Sequence, residues 1–179
     1  PENPAQFNGK SWGTICIEGI LYSWVIPDEP DTGGARVHYR YIQLAASADH
    51  AAHWTKPDWR WWREDNLIIP TFLVNGKNNA GARDDYVYSY FIRPQDINIT
   101  HAAFGLKVHQ PGAVFLARVH QDNLFAGREF YEWFIGTSAG LPLWGPLAEK
   151  KPVFENPEGT GWCMSACYNP GLGRYLLAT

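Results

Sequence analysis

Charge is scarce in this sequence and leans to neither sign. Lys and Arg number 15 and Asp and Glu 18, for a formal net charge of -3 over 179 residues. Such a chain carries no basic field to hold a nucleic acid. Hydrophobic residues reach 45% against 18% charged, the balance of a folded chain rather than a disordered one. No apolar run approaches the roughly 20 residues that span a bilayer as a helix. The chain opens with Pro1 and has neither an initiator Met nor the apolar core of a signal peptide, which reads as a processed N-terminus or an excised piece. Cysteine is rare, with three residues. Cys163 and Cys167 fall in one expected strand, about 13 Å apart at roughly 3.3 Å per residue, too far for a disulfide. Cys16 can pair with either only if two strands meet; otherwise all three read as small buried hydrophobes. The six His show no metalloprotease grouping, and no zinc spacing accompanies the cysteines. Serine-hydrolase, P-loop and dinucleotide motifs are absent too. No cofactor is expected, apart from a structural calcium ion at Asp28, Glu29 and Asp31, whose spacing is not that of an EF-hand.

Aromatics, Gly and Pro are plentiful instead: nine each of Trp, Tyr and Phe, with 17 Gly and 13 Pro. Aromatics favour strands, and scattered Gly and Pro punctuate them with turns. No amphipathic helix stands out. Strands are expected at 11–16, 20–26, 37–46, 71–75, 86–92, 113–119, 132–135, 162–168 and 174–178. Trp59, Trp61 and Trp62 read as an outer strand. Three segments repeat one plan of strand, turn, and strand with Tyr beside an aliphatic residue. They are SWGTICIEGILYSWVI, FLVNGKNNAGARDDYVYSYFI and WCMSACYNPGLGRYLLAT. Tyr22, Tyr88 and Tyr175 hold equivalent places, at intervals that suit a four-stranded unit. Radial repetition of such sheets is a β-propeller. A β-sandwich explains the strands but not the repeated hairpin. The segment from Ser47 to Trp54 resembles a degenerate Asp-box (S-x-D-x-G-x-T-W), in which Ser and Asp cap a turn and Trp packs between sheets. Asp49 is thus read as structural.

The stretch Asn75 to Tyr88 (NGKNNAGARDDYVY) resembles the bacterial family of domain of unknown function 4185, as do Phe115 to Val119 (FLARV) and Tyr168 to Leu177 (YNPGLGRYLL). The resemblance covers nearly all of the chain. It implies a five-bladed propeller, a bacterial extracellular or cell-envelope location, and glycoside hydrolysis of the endo-D-arabinanase kind, acting on arabinan. Family members have a blade before the SWGT strand and more chain after RYLL. The expectation is therefore an incomplete propeller: blades at about 8–66 and 67–151, then the first hairpin of a third at 152–179. Part of the catalytic site is expected to be missing, and no catalytic pair carries over residue by residue. A non-catalytic carbohydrate-binding module and an inactive fragment are the alternatives.

Glycoside hydrolysis needs two carboxyl groups flanking the scissile bond. Asp84 and Asp85 are the catalytic candidates, with Arg83 to orient them; an ordinary hairpin turn with an Arg–Asp pair accounts for the same residues. Two adjacent carboxylates in one turn cannot flank a bond alone, so a partner must come from another unit. Asn75, Lys77 and Asn78 follow an apolar strand and are expected at the mouth of a concave pocket, donating to sugar hydroxyls, unless they serve the turn itself. Trp12 and Trp162 hold comparable places in two repeats and are candidate sugar platforms or core residues. The expected partner is a polysaccharide or oligosaccharide. Open sheet edges are expected to favour a homo-oligomer.

Overall fold

The computed structural model describes residues 10–26, 29–30, 36–37, 41–94, 112–158 and 164–178. Among these the protein is all-β, with single-turn 3-10 segments and no α-helix. The first sheet is built from β1 (Lys10–Ile17), β2 (Ile20–Ile26), β5 (Tyr41–Ser47) and β6 (Trp61–Trp62) in that spatial order. The short pair β3 (Glu29–Pro30) and β4 (Arg36–Val37) lies between β2 and β5 in the chain. The second sheet begins with β7 (Ile68–Val74) and meanders through β8 (Tyr86–Pro94), β9 (Gly112–His120), β10 (Glu132–Ser138) and β11 (Leu141–Gly145). β12 (Pro152–Asn156) pairs with the half of β9 that β10 leaves free. β13 (Ser165–Asn169) and β14 (Arg174–Ala178) form the last hairpin.

That hairpin is not a separate sheet, as the repeat had suggested. β13 runs parallel to β7, pairing Ala166 with Leu73 and Cys167 with Val74. It thereby extends the meander into one curled, half-barrel sheet. The sequence pattern finds hairpins, whose strands are neighbours in the chain; it cannot reveal a pairing between their first strands. β11 and β12 were also missed. Their residues are mostly exposed, so no apolar alternation marks them.

Successive side chains on a strand point to opposite faces, and one face of the curled sheet carries Phe72, Val87, Phe91, Phe115 and Trp133. These pack with Trp24 and Leu44 of the first sheet into the main core. Trp24, fully buried, stacks on Phe72 at 5.6 Å between ring centroids and meets the edge of Phe91 at 5.6 Å. Its indole N–H donates to Ser89 Oγ at 3.4 Å. Trp59 and Trp61, on the outer side of the first sheet, close the core against Tyr131. Arg128 braces that corner: it donates to Asp65 Oδ1 at 2.9 Å and lies over the Trp61 ring at 4.7 Å.

Two bulges meet where the sheets touch. β1 shifts register between Trp12 and Thr14, with Gly13 at φ 72; a Cβ there would lie 2.9 Å from Thr71 Cα. β7 shifts between Ile68 and Thr71, and Ile69 takes φ 46, a costly left-handed setting for a β-branched residue. Close approach of the β1 backbone to Thr71 requires glycine at position 13.

The Asp-box-like turn is formed. Ser47 Oγ donates to Asp49 Oδ1 at 2.8 Å and accepts from Ala51 N at 3.0 Å. Asp49 Oδ1 also accepts from His53 N at 2.9 Å, and its Oδ2 meets His53 Nδ1 at 2.7 Å. Trp54 is buried against Val25 and Ala45. Asp49 is a turn-holding residue, held well below the usual carboxylate range chiefly by the His53 amide.

Candidate functional site

The chain between β7 and β8 organises one rim of the molecule. Asn75 is buried; its backbone N–H and its Nδ2 both donate to Asn79 Oδ1, at 3.2 and 3.1 Å. Its carbonyl accepts from Gly81 N at 2.9 Å, an approach so close that any side chain at Gly81 would strike it. Asn78 and Asn79 both take φ 55, the left-handed region in which Asn is tolerated better than most residues. The side-chain carbonyl of Asn78 crosses to the first sheet, accepting from Gly19 N at 3.0 Å and Cys16 Sγ at 3.3 Å. Lys77 and Asn78 thus line an open recess of about 570 Å³ between the sheets, with Thr14, Ile15, Cys16, Gly19, Leu21, Val74 and Gly76. Asn75 does not join them, because its amide is consumed inside its own loop.

The same loop ends on the other face of the curled sheet. Arg83 reaches the last hairpin, donating to Tyr168 OH at 3.3 Å; its guanidinium lies 5.1 Å from the Tyr168 ring centroid and 5.5 Å from that of Tyr175. Asp84 caps the start of β8: Oδ1 accepts from Tyr86 N at 3.1 Å and Oδ2 from Tyr88 OH at 2.8 Å. The neighbouring carboxylate, Asp85, is exposed, and its backbone carbonyl accepts from Gln121 N at 2.9 Å. The two candidate carboxylates therefore part: Asp84 belongs to a side-chain network and Asp85 to a loop contact.

The network runs across the strands. Tyr88 lies opposite Arg118, and Arg118 opposite Glu132, in register on β8, β9 and β10. Arg118 Nε donates to Glu132 Oε2 at 2.8 Å and also bonds to the Tyr88 side chain. Its guanidinium lies 4.2 Å from the Tyr86 ring centroid and 4.3 Å from that of Trp144 on β11. Burial, aided by Asp84, pushes the Tyr88 hydroxyl up to about 12. Burial likewise raises Tyr90, with Tyr175 contributing. Strand parity puts Tyr168, Tyr175, Tyr90, Tyr88, Arg118, Glu132 and Trp144 on one face; the Tyr88 and Trp144 rings, on strands three steps apart, meet at 5.9 Å between centroids, so the sheet curls toward this face and makes it the concave one.

Arg118, Glu132 and Trp144 were not among the sequence candidates. Arg118 sits within FLARV, a segment noted for its resemblance alone. Only the strand register joins it to Glu132 and Tyr88. Trp12 is half-buried and packs against the main core. Trp162, Cys163, Asp28, Asp31 and the side chain of Glu29 lie outside the described residues. Among the described residues no group of His, Cys, Asp and Glu is arranged to hold a metal ion. Cys16 and Cys167 are free thiols. In comparisons with known proteins, no protein-family model matches this chain and no curated protein is detectably similar to it.

Proposed function

We propose that the concave face of the curled sheet is a glycan-binding surface, and that the chain is a glycan-directed domain of the arabinanase-like type. One observation carries the reading: aromatic rings on β8, β11, β13 and β14 share a face with a cross-strand chain of polar groups, Asp84–Tyr88–Arg118–Glu132. A sugar has both kinds of surface. Its C–H faces stack on rings, and its hydroxyls exchange hydrogen bonds with carboxylates and guanidinium groups. The resemblance of the AGARDDYVY segment to arabinanase-like proteins points to an arabinan or a similar furanoside polymer. The five-bladed propeller and the extracellular or cell-envelope location belong to the same proposal. The test is titration calorimetry with arabinan oligosaccharides. Trp144→Ala and Tyr168→Ala each weaken binding about tenfold if these rings are anchors, a loss of about 1.4 kcal/mol. Unchanged affinity in both variants overturns the reading.

A second reading is hydrolysis, and the presence of two carboxyl groups on one face favours it. Asp84 and Glu132 are then the acid and its partner. Reducing-end release from arabinan distinguishes the two. Glu132→Gln lowers turnover about 100-fold or more if Glu132 moves a proton. A binding surface releases no reducing ends with either wild type or variant.

A further inference from the structure

We propose that the recess between β1, β2 and β7 binds a small amphiphilic anion, a ligand with an apolar body and a single acidic head. Its volume, about 570 Å³, falls within the roughly 300–1,000 Å³ of small-molecule sites. Ile15, Leu21 and Val74 give it a largely apolar lining. The nearby side-chain oxygens are already engaged, Thr14 Oγ1 by the Ser23 hydroxyl at 3.0 Å. The Asn78 side-chain carbonyl accepts from both Gly19 N and Cys16 Sγ. A hydroxyl-rich ligand would lose its water hydrogen bonds there with few replacements, so this recess differs in chemistry from the concave face. Lys77 supplies the charge: it lines the recess, is exposed, and has no acidic partner among the described residues. An ammonium at the edge of an apolar recess suits a carboxylate head with its chain directed inward.

Cys16 supplies the readout, because its thiol is free and lines the recess. Cys167, also free and exposed on β13, is the internal control. The experiment measures alkylation of each thiol by iodoacetamide, peptide by peptide, with octanoate, octanol or arabinose present. Saturating octanoate slows alkylation of Cys16 about tenfold, a degree of protection corresponding to about 90% occupancy, and leaves Cys167 unchanged. Octanol protects more weakly. Lys77→Gln, a change at an exposed position, weakens octanoate two- to fivefold, the range of a partly exposed ion pair, and leaves octanol unaffected. Equal reactivity of Cys16 with and without octanoate overturns the proposal. So does octanoate protection that Lys77→Gln leaves unaltered, since the acidic head is then not read. Protection by arabinose alone overturns it in favour of a sugar subsite.

Discussion

Tyr88 donates a hydrogen bond from its phenolic O–H to Asp84 Oδ2 at 2.8 Å, four residues back along the chain. The bond joins the loop that carries the candidate carboxylates to the strand that carries the aromatic face. It also makes Tyr88 hard to ionise, at about 12. A phenol that keeps its proton longer in the folded than in the unfolded state lends stability that is complete below the unfolded value of about 10. That stability is lost as pH climbs through the folded value. The fold is therefore expected to weaken between pH 10 and about 12, with Tyr22, Tyr90 and fully buried Tyr131 adding to the slope, all raised chiefly by burial. Urea midpoints measured across that window check it. Asp84→Asn should flatten part of the slope, and an identical slope in the variant would detach Tyr88 from Asp84.

Asp49 works in the opposite direction. Its carboxyl is held below the ordinary range by the His53 amide, then by the His53 ring and the Ser47 hydroxyl. A depressed carboxyl contributes stability above the unfolded value near 4 and loses it as pH falls. Wild type should lose stability on acidification below pH 4, and Asp49→Asn should show a shallower loss. Urea midpoints at pH 5 and pH 3 for both proteins decide it.

The core prediction concerns Trp24. Its ring touches Phe72, Phe91, Trp59 and Tyr131 and is fully buried. Trp24→Ala opens a cavity that surrounding rings cannot refill and should cost about 3–5 kcal/mol. Trp24→Phe should cost less, although it leaves Ser89 without its indole donor. Chemical denaturation measures both; a cost under about 1 kcal/mol for the alanine variant would show that the two sheets pack otherwise.

Gly13 tests the seam between the sheets. At φ 72 with a would-be Cβ 2.9 Å from Thr71 Cα, Gly13→Ala meets both backbone strain and a clash with main chain that cannot rotate away. About 2–4 kcal/mol of destabilisation is expected, against about 1 kcal/mol for Gly19→Ser, which meets the same left-handed strain at φ 82 but has open space around it and so no clash.

The hairpins were legible because hairpins are local. The turn at Glu18 and Gly19 separates two apolar strands, and the turn at Asn169 to Gly173 does the same near the end. Each leaves its mark within about a dozen residues. Asp49 was correctly read as a turn residue because Ser47, Asp49 and Trp54 carry that geometry in their spacing. The functional face was less legible. Arg118 meets Glu132 only because β9 and β10 align in one register, and a sequence records residue types without recording register. The amides of Asn75 and Asn78 looked like free donors beside a turn. Their partners, Asn79 and the Gly19–Cys16 segment, depend on left-handed backbone at Asn78 and Asn79 and on the approach of the first sheet.

The parallel contact between β7 and β13 has a dynamic consequence. The last hairpin is joined to the meander by two residue pairs with β7, a strand some ninety residues earlier in the chain, and by the grip of Arg83 on Tyr168 and Tyr175. A hairpin held so narrowly should open alone, ahead of the meander. Amide hydrogen exchange should therefore be fastest among the hydrogen-bonded amides in β13 and β14 and slowest in β8 and β9. Each opening would remove one wall of the concave face. A glycan touching both Trp144 and Tyr168 would act as a latch, and its affinity would include the free energy of keeping the hairpin closed.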